Sequence, residues 1–175
     1  MEIDLAELGT MHPALPTDLA IFLSGQGALA LQRSGHEPGD GLELHIQRVP
    51  QIVILDWSRA DLRVIDKHDR DRITEFGAEA VALGIASKLR SWKVIRRLQK
   101  GERADWLLED LRSQKSTEIA LEVSGVTTGN IAMRLSEKLS QVSKSDEGDE
   151  KWACVVGFEK PVSSLHRSKR SRRGN

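Results

Sequence analysis

The chain has 175 residues, of which 39% are hydrophobic, 30% are charged and 4% are aromatic. This composition is ordinary for a soluble globular domain, and a domain of this length buries about 70% of the surface that its unfolded chain would expose. Its 26 basic and 26 acidic residues give a formal charge of zero, and its single cysteine excludes an internal disulfide. Any affinity for nucleic acid must therefore come from local basic patches rather than from the overall charge.

The first predicted region covers residues 1–70 and is a small β-rich region. It alternates short apolar runs with Gly, Pro and Asp-rich breaks, as in LAIFLSG, GALALQRSG, LELHIQRV and IVILDW. Its beginning, MEIDLAELGTMHPALPTD, has early acids and no long apolar run, so we expect neither a signal peptide nor a membrane span, and a cytoplasmic protein. His12, His36 and His45 lack metal-ligand spacing and are left out of the site.

The second region, residues 71–160, begins with a predicted amphipathic helix. Apolar and small residues recur three and four positions apart within DRITEFGAEAVALGIASKLRSW, at Ile73, Phe76, Ala80, Leu83 and Ser87. Two predicted strands follow, WKVIRRLQ and RADWLLED, and the polar LRSQKST is a hairpin turn into a third, EIALEVSG.

A second helix is predicted within GNIAMRLSEKLSQV, with Asn130 as its cap and an apolar face formed by Ile131, Leu135, Leu139 and Val142. A loop, SKSDEGDE, leads to a fully buried strand, KWACVVGFE, in which Cys154 is a small apolar residue rather than a reactive thiol. Residues 161–175 are predicted to be a basic flexible tail. The predicted order from residue 71 is thus α, β, β, β, α, β.

Candidate chemistry lies on the second and third of these strands. Alternate strand residues share a face, so Glu122 and Ser124 point away from Ile119, Leu121 and Val123. The hairpin brings Asp105 beside Glu122, and two adjacent carboxylates repel each other unless a cation or a proton lies between them. Mg²⁺ or Mn²⁺ suits such oxygen ligands, and the natural chemistry is hydrolysis of a phosphodiester backbone. Taken singly, each acid is also typical of a turn cap or an edge salt bridge.

This order of acids and elements resembles the PD-(D/E)xK, or restriction-endonuclease-like, nuclease superfamily. The matching pieces are TEFGAEAVAL, WKVIRRL, GERADWLLE, ALEVSG and NIAMRLSEKLSQV, followed by WACVVGF. The resemblance implies an α/β fold with a restriction-endonuclease-like core, in which Asp105 and Glu122 bind the metal. The helical acid of the family falls on Glu79, with Glu75 one turn earlier as its substitute, although an ordinary solvated helix also carries such acids.

The sequence departs from the family at Ser124, where the resemblance implies a lysine that orients the attacking water. Serine carries no positive charge, and losing one such partner costs about 3 kcal/mol, roughly a hundredfold in rate, which predicts a slow enzyme. Lys138 and Lys100 are candidates to supply the cation from elsewhere, although both residues are typical of a solvated surface. We expect Ser124→Lys to raise Mn²⁺-dependent cleavage about tenfold.

Two functions remain open from the sequence. The first is a metal-dependent nuclease acting on nucleic acid, DNA in preference to RNA. The second is a catalytically inactive nuclease-fold module that binds nucleic acid or a protein partner, and a homodimer built by the N-terminal region is a third reading. The tail is expected to bind polyanions, or else to be a solubilising disordered end; its cations are Arg167, Lys169, Arg170, Arg172 and Arg173.

Overall fold

A computed structural model of the chain describes residues 1–61 and 69–169. Within these residues the helices are α1 (Leu8–Met11), α2 (Thr17–Arg33), α3 (Arg70–Arg90) and α4 (Ile131–Val142), and a 3-10 turn covers Leu5–Glu7. The strands are β1 (Glu2–Asp4), β2 (Gly41–Ile46), β3 (Val49–Asp56), β4 (Trp92–Arg97), β5 (Trp106–Asp110), β6 (Glu118–Val126), β7 (Glu150–Gly157) and β8 (Val162–Arg167). They form one mixed sheet in the order β1-β3-β2-β8-β7-β6-β5-β4.

The mixed α/β class and the order of elements after residue 71 are confirmed. Helix α3, strands β4 to β6, helix α4 and strand β7 follow one another as the sequence predicts, and β5 and β6 form the expected antiparallel hairpin. Asn130 caps α4, since its side chain accepts a hydrogen bond from the backbone N–H of Met133. The finer assignment to a restriction-endonuclease-like core stays a prediction. Strand β2 pairs in parallel with β8, so the N-terminal strands extend the same sheet.

The prediction of short strands around residues 17–33 is wrong, because this segment is the 17-residue helix α2. Gly27, which lies in one of the predicted breaks, and Gly77 of α3 make room for the contact between α2 and its neighbours. A Cβ atom at Gly27 would lie 2.8 Å from Leu5 Cδ1, and one at Gly77 would lie 2.8 Å from Ala30 Cβ. Glycine therefore lets the two helix backbones approach closely, and this benefit outweighs its low helix propensity.

Helix α3 is the central helix rather than a surface helix. Every residue from 77 to 87 is buried, because α2 covers one side of α3 while β6 and β7 lie against the other. The predicted amphipathic pattern therefore holds only for its first turns, where Asp71 and Glu75 are exposed. No helix in the described ranges combines the length and hydropathy that crossing a bilayer requires.

The predicted boundary of the basic tail is also wrong. Strand β8, within residues 161–175, lies between β7 and β2, and Ser163 and Leu165 are buried. Its alternation of buried and half-buried residues is that of a strand with two different faces. Arg167, one of the tail cations, forms an ion pair with Glu150 at 2.9 Å. The remaining tail prediction falls on residues 170–175, which lie outside the described residues.

The sheet separates two hydrophobic clusters. Helix α3 lies on one side, where it packs against the face of β6 that carries Ile119, Leu121 and Val123, and α2 covers α3. Helix α4 lies on the other side, where its residues Leu135 and Val142 belong to a smaller cluster that includes Ala120. The face assignment made for β6 is therefore confirmed. Cys154 is also buried as expected, and burial raises the pKa of its thiol to about 12.

Candidate functional site

Asp105 lies immediately before β5, one step beyond the pair formed by Trp106 and Leu121. Its backbone N–H donates to Leu121 O at 3.0 Å. Its carboxylate Oδ2 accepts a hydrogen bond from the backbone N–H of Val123 at 2.7 Å. The side chain thus replaces a backbone partner at the end of the ladder, and this bond fixes the carboxylate against β6.

Glu122 and Ser124 are the buried polar residues on the α4 face of β6, and they are only 2% and 6% exposed. Lys138 Nζ donates to Glu122 Oε1 at 2.5 Å, and Arg134 Nε donates to Ser124 Oγ at 2.9 Å. Four residues along a helix and two along a strand both span about 6 to 7 Å, so the two cations of α4 match the two polar residues of β6.

The two carboxyl groups influence each other. The pKa of Glu122 is raised to about 7, first by burial and then by the negative charge of Asp105, while Lys138 and Arg134 oppose the shift. Burial also raises the pKa of Asp105, although the Val123 N–H and the positive charge of Lys138 oppose it. Asp105 and Glu122 are therefore close enough to resist carrying two negative charges, which is the condition under which a bound cation is most favourable.

Glu79, the predicted helical acid, has a different environment. Its Oε1 accepts from Arg97 at 2.7 Å and its Oε2 accepts from the indole N–H of Trp106 at 3.1 Å. The guanidinium of Arg97 also lies over the rings of Phe76 and Trp106. Burial raises the pKa of Glu79 to about 7, against the influence of Arg97. Both oxygens of Glu79 are thus engaged, whereas Glu75, its predicted substitute, is exposed.

An open cleft of about 710 Å³ gives access to the two acids. Asp105 and Glu122 form part of its wall, between the start of β5 and the C-terminal half of α4. Four basic residues line the same cleft, namely Arg97, Lys100, Arg103 and Lys144. The cleft therefore combines one half-buried and one buried carboxyl group with four cations, an arrangement that suits a phosphate group and a divalent cation.

Asp105 and Glu122 are the candidate carboxylate ligands at the cleft, since Glu137, which also lines it, pairs with Arg134 at 3.0 Å. Within residues 1–61 and 69–169, no three His, Cys, Asp or Glu side chains gather closely enough to hold an ion. Two carboxylates are nevertheless a usual protein contribution for Mg²⁺, which keeps several waters and takes further ligands from substrate phosphates. No described residue donates a hydrogen bond to Asp105 Oδ1 or Glu122 Oε2, so each acid keeps one oxygen for a ligand.

The sequence identified Asp105, Glu122 and Lys138, but it missed Arg134 and Arg97. Arg134 lies four residues before Lys138, and this spacing is a signal that could have placed both cations on one side of α4. Arg97 gave no such signal, since its partners come from α3 and β5. His12 is structural: its ring bonds Leu83 O and Val94 N, and burial lowers its pKa to about 4.

Comparisons of this chain with protein-family models, with curated proteins and with solved structures found no match. The function is therefore argued from the geometry of the cleft.

Proposed function

We propose that this chain is a metal-dependent nuclease-like protein that hydrolyses phosphodiester bonds in nucleic acid. Asp105 and Glu122 hold Mg²⁺ or Mn²⁺. The observation that carries the proposal is the bond from Lys138 Nζ to Glu122 Oε1, at 2.5 Å, because Glu122 and Asp105 both line the cleft. This bond places a positive charge beside the acids, which Ser124 cannot supply.

The two acids have distinct supports. Asp105 is held by the Val123 N–H through Oδ2 and can bind an ion through Oδ1, and Glu122 is held by Lys138 through Oε1 and can bind through Oε2. The bound ion supplies polarisation of the phosphate and a lowered pKa of a coordinated water. The acids and the ion neutralise one another, so their burial becomes less costly when the site is loaded.

Lys138 replaces the lysine that the motif places at position 124. Its side chain is only 16% exposed, and its ammonium group stabilises negative charge that develops on the attacked phosphate. Ser124 is a positioning residue, because its hydroxyl fixes Arg134 rather than contacting a phosphate itself. Glu79 is also a positioning residue, since it fixes Arg97 at the mouth of the cleft.

Substrate binding depends on the cations that line the cleft. Arg97, Lys100, Arg103 and Lys144 attract the phosphate backbone on both sides of the reacting group. This contact carries no sequence information, so we expect cleavage with little sequence preference. DNA remains the proposed substrate in preference to RNA.

The second candidate is a catalytically inactive module that binds nucleic acid or a protein partner. One observation favours it: Lys138 already neutralises Glu122, so the site is satisfied in part without a metal ion. Under this reading the cations of the cleft bind a polyanion, and the acids hold Lys138 and β6 in place.

Cleavage of labelled DNA and RNA in Mn²⁺ or Mg²⁺ distinguishes the nuclease from the non-catalytic module. The variants are Asp105→Asn and Glu122→Gln, and Glu118→Gln is the matched control, because Glu118 lies on the same strand but is exposed at its far end. The nuclease reading expects cleavage by the wild type and by Glu118→Gln, and its loss in both site variants. If the wild type cleaves nothing, or the site variants cleave as fast, the non-catalytic module replaces it.

A further inference from the structure

A second groove lies along the other side of α4. Its wall is apolar, and it has a volume of about 540 Å³. The wall is formed by Ile131, Leu135 and Leu139 of α4, while one end carries three basic side chains, His45, Arg48 and His166. A further opening shares Leu139, Arg48 and His166 and reaches Lys169. The groove thus has an aliphatic wall and a basic end, and it shares none of its basic residues with the catalytic cleft.

The basic end joins the guanidinium of Arg48 to two imidazole rings. Arg48 is exposed and makes no hydrogen bond or ion pair with a described residue. Among the described residues, the acid in contact with this end is Glu43, whose Oε1 lies 2.7 Å from His45 Nε2. His166 has its pKa lowered by burial and then by the positive charges of Arg48 and His45. An anion placed between Arg48 and His166 would pair with the guanidinium and favour the protonated form of the His166 ring.

The turn that presents Arg48 is strained. Gln47 and Arg48 are the two residues between β2 and β3, whose ends are paired through Ile46 and Val49. Their φ angles are +50° and +71°, so both adopt the left-handed conformation that two-residue hairpins usually assign to Asn and Gly. A glycine at position 48 would relieve this strain, and it would remove the guanidinium. Strain of this kind is concentrated at functional positions.

We propose that this groove binds one nucleotide of a single-stranded nucleic acid, with its phosphate against Arg48 and His166 and its base against the aliphatic side of α4. The charge of Arg48 favours a phosphate, and the aliphatic wall favours an apolar surface attached to that phosphate, such as the face of a base. This proposal rests on the proposed function in one respect, namely that the polyanion is a nucleic acid. Because the groove and the cleft lie on opposite sides of α4, a strand that crosses this helix could contact both.

Binding is tested without catalysis, with a fluorescent single-stranded oligonucleotide, the full chain and EDTA. We expect Arg48→Gln to weaken binding about tenfold and to reduce the slope of log affinity against log salt by about 0.7. Arg112→Gln is the matched control, since Arg112 is exposed in the turn after β5, away from the groove. It should change the affinity less than about twofold. Equal affinity and salt slope in Arg48→Gln and the wild type would overturn the proposal.

Arg48→Gly provides a variant that is not expected to fail by misfolding. Glycine suits the φ of +71°, so we expect an unchanged or higher Tm together with weaker oligonucleotide binding. If Arg48→Gly raises the Tm and binds the oligonucleotide as tightly as the wild type, the strain has no connection with binding and the proposal fails.

The source of the phosphate is tested by NMR of the His166 ring. A bound phosphate should raise the pKa of His166, and the oligonucleotide should do so at a lower concentration than thymidine monophosphate, which in turn should act before inorganic phosphate. If inorganic phosphate acts at the same concentration as the oligonucleotide, the groove is a free-phosphate site and the nucleotide assignment is wrong. If oligonucleotide binding depends on Arg48 but no cleavage occurs, the nuclease proposal is wrong and the groove proposal stands. If cleavage occurs but binding does not depend on Arg48, the groove proposal is wrong and the nuclease proposal stands.

Discussion

Two buried glutamates with a cation beside them, Glu79 and Glu122, serve different purposes in this protein. Burial raises the pKa of each to about 7. Glu79 uses both oxygens for Arg97 and Trp106, whereas Glu122 uses one oxygen for Lys138. The partners differ as well, since Arg97 is fixed over two aromatic rings and Lys138 has a flexible stem. Glu79 is thus a support within the fold, and Glu122 is available to a ligand.

This difference shows why a shifted pKa does not by itself identify a catalytic acid. Both glutamates have a similar pKa and similar burial, so electrostatics alone would select them equally. The count of engaged oxygens and the access to the cleft separate them. Among the described residues, Glu122 lies in the cleft wall and Glu79 does not. The following predictions are ordered from the largest effect to the smallest.

Lys138→Met should have the largest effect. Methionine keeps most of the length of the side chain but removes the charge, and losing one preorganised electrostatic partner costs about 2.7 kcal/mol, about a hundredfold in cleavage rate. Initial rates in Mn²⁺ measure it. Lys100→Met and Lys144→Met, in the same cleft, should lose less than about tenfold because they contact only the backbone of the substrate. Equal losses of rate in all three variants would mean that Lys138 only binds the substrate, and the proposed catalytic role of Lys138 would be wrong.

Glu79→Ala should destabilise the fold by about 2 kcal/mol, mainly because it leaves the buried N–H of Trp106 without its acceptor and opens a cavity. Glu79→Gln keeps an acceptor of the same shape and should lose less than about 1 kcal/mol. Glu122→Gln, which removes a ligand position rather than a support, should also lose less than about 1 kcal/mol. Urea unfolding measures the three values. A larger loss for Glu122→Gln than for Glu79→Ala would reverse the comparison.

The same two residues show how far the sequence could predict this molecule. The strand face of Glu122 follows from alternation, and its neighbour Asp105 follows from the hairpin, since both are local rules. The bonds of Glu79 could not be predicted, because Arg97 and Trp106 reach it through the packing of α3 on the sheet. Helix α2 was missed for a related reason: Gly27 is a break by propensity, and only its contacts with Leu5 and Ala80 reveal its packing role.

The sequence alone predicts that Ser124→Lys raises cleavage about tenfold. The positions of Lys138 and Arg134 make this prediction more specific. In the wild-type background the new lysine would meet two cations already present, and we expect little gain. In the Lys138→Met background it would replace the lost charge, and we expect recovery of about tenfold in rate. Ser124→Met in the same background is the control for size. No recovery in the double variant would mean that position 124 cannot direct a cation to the reacting phosphate.

The most gradual effect is a pH dependence of stability. The pKa of Glu79 is about 7 in the folded chain, against an ordinary value of 4.5, so the folded state holds this proton more tightly than the unfolded state does. Its contribution to stability is therefore complete below about pH 4.5 and is lost as the pH rises through about 7. Glu79→Gln cannot titrate, so its free energy of unfolding should fall less steeply across this window than that of the wild type. One proton limits the difference in slope to about 1.4 kcal/mol per pH unit. Urea unfolding at several pH values in EDTA measures it, and parallel curves for the two proteins would show that Glu79 is already ionised when the chain folds, with Arg97 compensating fully for its burial.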